Sequence, residues 1–141
     1  MYETTVTLQG YVGTPVTTRV AGDSVVASFR VACTPRRYQR KTETWADGAT
    51  QWYSVTAWRG LAENCQQSLH RGDPVIVHGR LTVNTWVNRD GIEMSSLEVE
   101  ATHVGHDLTR GTAQFTKTPK PAAASAPAPV ETSPEAEESA A

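Results

Sequence analysis

Residue patterns that usually announce a chemistry are missing from this chain. Its two cysteines, Cys33 and Cys65, are too few for a disulfide framework and too far apart for a zinc knuckle, so reduced thiols at inward positions are expected. The four histidines, His70, His78, His103 and His106, have no cysteine or carboxylate at metal-ligand spacing. There is no nucleophile with a base and an orienting partner, and no glycine loop that would cradle a phosphate. Catalysis, metals and cofactors are therefore not expected. Long apolar runs are absent as well: nothing approaches the roughly 18 residues of a transmembrane helix, and the opening MYETTVTLQG lacks the basic and apolar regions of a signal peptide. A cytoplasmic location without membrane contact follows as an expectation. Net charge is only −2, so no global field draws the protein to polyanions. The acidic excess falls in 113–141, however, and 1–112 are balanced, which leaves locally clustered arginines free to bind phosphate.

Composition changes near Gly111. From there TAQFTKTPKPAAASAPAPVETSPEAEESAA is mostly Ala, Pro, Ser, Thr and Glu, too poor in apolar surface to offset the entropy of ordering its backbone. The expected organisation is one folded domain over 1–111 and a disordered Ala/Pro/Glu-rich tail over 112–141. No 20–50-residue repeat is visible.

Within 1–111 the periodicity is that of strands with one helix. Residues 4–12 and 24–33 alternate, the second with Val25, Ala27, Phe29, Val31 and Cys33 on one face. A loop, 34–50, leads to a strand over 51–58 with Tyr53, Val55 and Ala57 on one side. A short helix over 61–70 carries Leu61, Ala62, Cys65 and Leu69 on one stripe. A long strand from Val75 to Val87, the turn NRDG at 88–91 and a last strand over 92–104 follow. Three strands, a helix and two strands are too closely spaced for crossover helices. The closed solution is an all-β, five-stranded OB-fold barrel with the helix between strands three and four.

Aromatic residues make up only 7% of the chain, so their placement is informative. Burying Tyr53, Val55 and Ala57 fixes the register and turns Trp52 and Trp58 outward. On the long strand, the residues opposite the apolar set are Ile76, His78, Arg80, Thr82, Asn84 and Trp86. The loop adds Arg36, Arg37, Tyr38, Arg40, Lys41 and Trp45, the densest basic cluster in the chain. Flat rings beside cations suit single-stranded nucleic acid, because any base stacks on a ring while guanidinium and ammonium groups hold phosphates. The expected DNA-binding residues are Trp52, Trp58, Trp86, Tyr38, Arg36, Arg37, Arg40, Lys41 and Arg80. For Trp45, packing is as good a reading as stacking. Outward tryptophans also occur at subunit interfaces, so a protein-interaction module of the primosomal type is the competing reading, and an RNA-binding OB domain is a third.

Taken in order, VTLQGYVGTPVTTRV, VASFRVAC, TQWYSVTAWRGLAENCQQSLHRGDPVIVHGRL and the TW at 85–86 resemble the bacterial single-stranded DNA-binding protein family. The resemblance implies an OB fold, a homotetramer with DNA wrapped around it, and roles in replication, recombination or repair at the nucleoid. It matches Trp52, Trp58 and Trp86 to stacking positions of the family, with Tyr38 as the substitute at the remaining one. The usual acidic tip ending in Pro-Phe is replaced by SPEAEESAA, so a specialised paralogue that does not recruit partners through its tip is expected.

Overall fold

The computed structural model describes residues 2–119. Eight strands and one helix follow in order: β1 (Thr5–Val12), β2 (Thr17–Ala21), β3 (Ser24–Cys33), β4 (Arg36–Gln39), β5 (Thr44–Asp47), β6 (Gln51–Trp58), α1 (Arg59–Ser68), β7 (Pro74–Val87) and β8 (Glu93–His106). The principal sheet runs β1-β7-β8-β6-β3-β2, and β1 also pairs with β3. That extra pairing closes β1, β7, β8, β6 and β3 into the expected five-stranded barrel. All its pairings are antiparallel except β6 with β8.

Alternation decides what fills the barrel. Phe29, Val31, Val55, Ala57, Val75, Val77 and Val99 point inward and are buried, and Ala62 and Cys65 of α1 with Leu69 just past its end close one end. Backbone bonds tie that end together: Val12 N donates to Asp73 O at 2.9 Å and Gly72 N to Val12 O at 2.7 Å. Both cysteines are free thiols. Burial pushes the Cys65 thiol up to about 11 and raises that of Cys33 as well, so both remain protonated and poorly nucleophilic near neutrality.

Three features differ from the periodicity reading. The segment 34–50 is not a plain loop: β4 and β5 form a separate hairpin, with Tyr38 opposite Trp45. A further short strand, β2, pairs with β3 through a tight turn in which Gly22 supplies the positive φ of 64° that two-residue hairpins require. The apolar face of β7 also leaves the core after Leu81, because the β7–β8 hairpin extends past the barrel. Val83 and Val87 keep the inward parity yet are 58% and 66% exposed. Residues 111–119 carry no secondary structure, and Thr118 Oγ1 donates to Asn64 Oδ1 on α1 at 3.2 Å. The rest of the expected disordered tail, including the acidic tip, lies outside the described residues.

Candidate nucleic-acid interface

Strand registers turn the outer barrel surface into a lattice of side chains. On β6 the outward residues are Trp52, Ser54, Thr56 and Trp58, a ring at each end and two hydroxyls between. At roughly 3.3 Å per residue the two rings stand about 20 Å apart along the strand. Ser54 faces Arg30 on β3 and Glu98 on β8, and Thr56 faces Ser28 and Glu100. Glu98 and Glu100 in turn face Thr82 and Arg80 on β7. Between the rings lies an open groove of about 360 Å³, with Thr14, Ser28, Arg30, Ser54, Thr56 and Glu98 along it. Trp86 stands on the projecting arm opposite Met94, toward the Trp52 end of the lattice.

None of the three rings belongs to the core: Trp52, Trp58 and Trp86 are 42%, 37% and 44% exposed. Half-exposure matters, since part of each side chain is open to solvent and so available for stacking. Trp52 is held most firmly. The Arg30 guanidinium lies 4.7 Å from its ring centroid, a cation–π contact of about 0.5–1 kcal/mol at an exposed site. Its far corner sits against Gly13, where a Cβ would overlap the indole. Gly13→Ala is therefore expected to fold normally, because only a side chain has to yield. The displaced ring should weaken binding of oligo-dT roughly tenfold, as read by anisotropy titration beside an unfolding curve.

The cations divide into groups. Arg36, Arg37, Arg40 and Lys41 all belong to the β4–β5 hairpin or its turn and are exposed. Arg36 reaches Asp47 at 3.3 Å, an exposed pair worth little. Among the described residues Arg37, Arg40 and Lys41 form no ion pair with a carboxylate. The hairpin leaves β3 at Cys33, the strand end facing Gln51 and Trp52, which places these cations on the Trp52 flank. On the same hairpin Tyr38 and Trp45 meet edge to face, with centroids 5.5 Å apart. Arg80 is not brought to this cluster: it lies two strands away from β6, on β7, bonded to Glu100 and, at 3.4 Å, to Glu3.

Three contributors were passed over in the sequence. Arg30 has the outward parity of β3 and could have been found by listing that face. Arg59, directly after Trp58, holds φ at 58°, a left-handed conformation unusual for a side-chain-bearing residue, and turns the chain from β6 into α1. Gly13 left no local signal, because its role is a contact with a residue 39 positions away.

A model of the single-strand binding protein family matches residues 3–107. A Streptomyces coelicolor protein named single-stranded DNA-binding protein 1 is 41% identical over 127 residues, covering 90% of this chain and 81% of its own length. Single-stranded DNA-binding protein 2 of Streptomyces avermitilis is 44% identical over 115 residues, covering 82% of this chain and 72% of its own. The crystal structure of a small single-stranded DNA-binding protein from Streptomyces coelicolor superposes with a TM-score of 0.72 at 40% identity, over 79% of this chain and all of that one.

Proposed function

Since this chain belongs to the single-strand binding protein family, we propose that it binds single-stranded DNA without regard to sequence, shielding it by stacking and phosphate contact and catalysing nothing. The observation that carries the proposal is the run of half-exposed Trp52, Trp58 and Trp86 on one outer surface, with cations along a flank. Indoles stack on any base, and this accounts for the indifference to sequence. Arg30, Arg36, Arg37, Arg40 and Lys41 are assigned to the phosphates. Arg80, already bonded to two carboxylates, is assigned the lesser role of shaping the groove wall, and Tyr38 an auxiliary contact from the hairpin.

The binding unit is the domain 1–111. The family habit of assembling as a homotetramer suits a chain that presents this surface once, since wrapping needs several copies. Replication, recombination and repair at the nucleoid are the processes in which such coating is required. Among the described residues, no helix is long and apolar enough to cross a membrane.

Salt tests the phosphate half of the proposal. Each phosphate neutralised on a single strand contributes about −0.7 to the slope of log K against log salt, so five cations predict a slope of about −3.5. Titrations of oligo-dT at a series of salt concentrations measure it. A slope near zero would remove these cations from the interface.

A further inference from the structure

One row of side chains crosses the middle of the groove: Arg30 on β3, Ser54 on β6 and Glu98 on β8. All three line it, so a cation bounds one flank and a carboxylate the other. The hairpin cations lie between β3 and β6 in the chain and stand at the Trp52 end of the groove. The two carboxylates of the opposite flank are not equivalent. Glu100 is bonded to Arg80, whereas Glu98 pairs with no cation among the described residues. Its one side-chain partner there is Ser96, whose hydroxyl donates to Oε2 at 3.4 Å, and Oε1 accepts no hydrogen bond.

An ionised carboxylate accepts hydrogen bonds and donates none. It repels phosphate, so a strand lying along the groove keeps its backbone on the Arg30 flank and turns its base edges toward Glu98. Thymine's one donor, N3–H, lies between two carbonyl oxygens that a carboxylate repels, while cytosine, adenine and guanine offer exocyclic amino donors at the margin of the ring. The hydroxyls of Ser28, Ser54 and Thr56 both donate and accept and do not discriminate.

We propose that Glu98 is a specificity-determining residue, making this groove favour bases with an exocyclic amino group over thymine. The proposal rests on the single-strand reading above and adds a preference that stacking alone does not supply.

The test compares equilibrium affinities of the full chain and of Glu98→Gln for dC and dT oligonucleotides of equal length, at mildly alkaline pH so that cytosine N3 stays unprotonated. The native chain should favour dC by about fivefold. In Glu98→Gln the ratio should fall toward unity, because an amide serves either base, while both affinities rise as a repelling charge is lost. Glu98→Ala should show the same collapse and guards against a compensating contact from the amide. An unchanged dC-to-dT ratio in both variants would overturn the proposal, whether or not the affinities rise together. If the folded native chain bound neither oligonucleotide, the single-strand reading itself would fall, and the preference with it.

Discussion

Replacing both Trp52 and Trp86 with alanine is expected to lower affinity for oligo-dT by about 30-fold to 10⁴-fold, with the fold intact. Each ring that stacks on a base is worth roughly 1–3 kcal/mol. The two stand on different strands without a shared partner, so their contributions should add. Stability should hardly change, since both indoles are about half exposed and neither belongs to the buried cluster inside the barrel. Anisotropy titration against an unfolding curve measures both quantities. Unchanged affinity in a folded double variant would exclude these rings as the platform.

Phe29→Ala is expected to show the opposite balance. Phe29 is 3% exposed and packs inside the barrel directly beneath the groove, between the outward residues Ser28 and Arg30. Removing a buried phenyl ring costs about 3–5 kcal/mol through lost transfer energy and the cavity left behind. A domain of this size has only about 5–15 kcal/mol in total, so denaturant unfolding should show a large fraction of the stability gone. Binding by the molecules that remain folded should keep its salt slope, because no phosphate contact has been removed. A loss below about 1 kcal/mol would mean that the barrel repacks around the vacancy, and that the groove floor is less rigid than the closed β1–β3 pairing suggests.

The contrast between these variants follows from a division already present in the sequence. Within β6 the alternation Trp52, Tyr53, Ser54, Val55, Thr56, Ala57, Trp58 separates core from surface residue by residue, because a strand with one buried face leaves no freedom of register. The helix was legible for the same reason, through the buried pair Ala62 and Cys65, although it runs over Arg59–Ser68 rather than 61–70 and Leu69 is buried just past its end. The β4–β5 hairpin was not. Nearly all of its residues are exposed, so neither face imposes a pattern, and only cross-strand pairing such as Tyr38 with Trp45 defines it. On β7 the alternation continues through Val83 and Val87, although the barrel has ended and none of the described residues buries them. Periodicity reports which side a residue faces, and burial depends on what lies opposite.

Arg80 and Arg30 make the same point for the candidate site. Both have outward parity and equal charge, and nothing local distinguishes them. The registers do: Arg80 falls opposite Glu100 and is bonded to it, whereas Arg30 falls beside Trp52 and lies over its ring. The mutual placement of β3, β6, β7 and β8 thus sorts cations that the linear sequence leaves alike, and it sets Arg30 and Glu98 on opposite flanks of one groove.

The most direct test of the central claim is intrinsic tryptophan fluorescence during titration with oligo-dT at low salt, followed by back-titration with salt. Stacking of Trp52, Trp58 and Trp86 on bases predicts strong quenching that is reversed as salt displaces the phosphates from the arginines. Absence of quenching in a folded sample would contradict it, place these rings against protein instead, and favour the interaction-module reading.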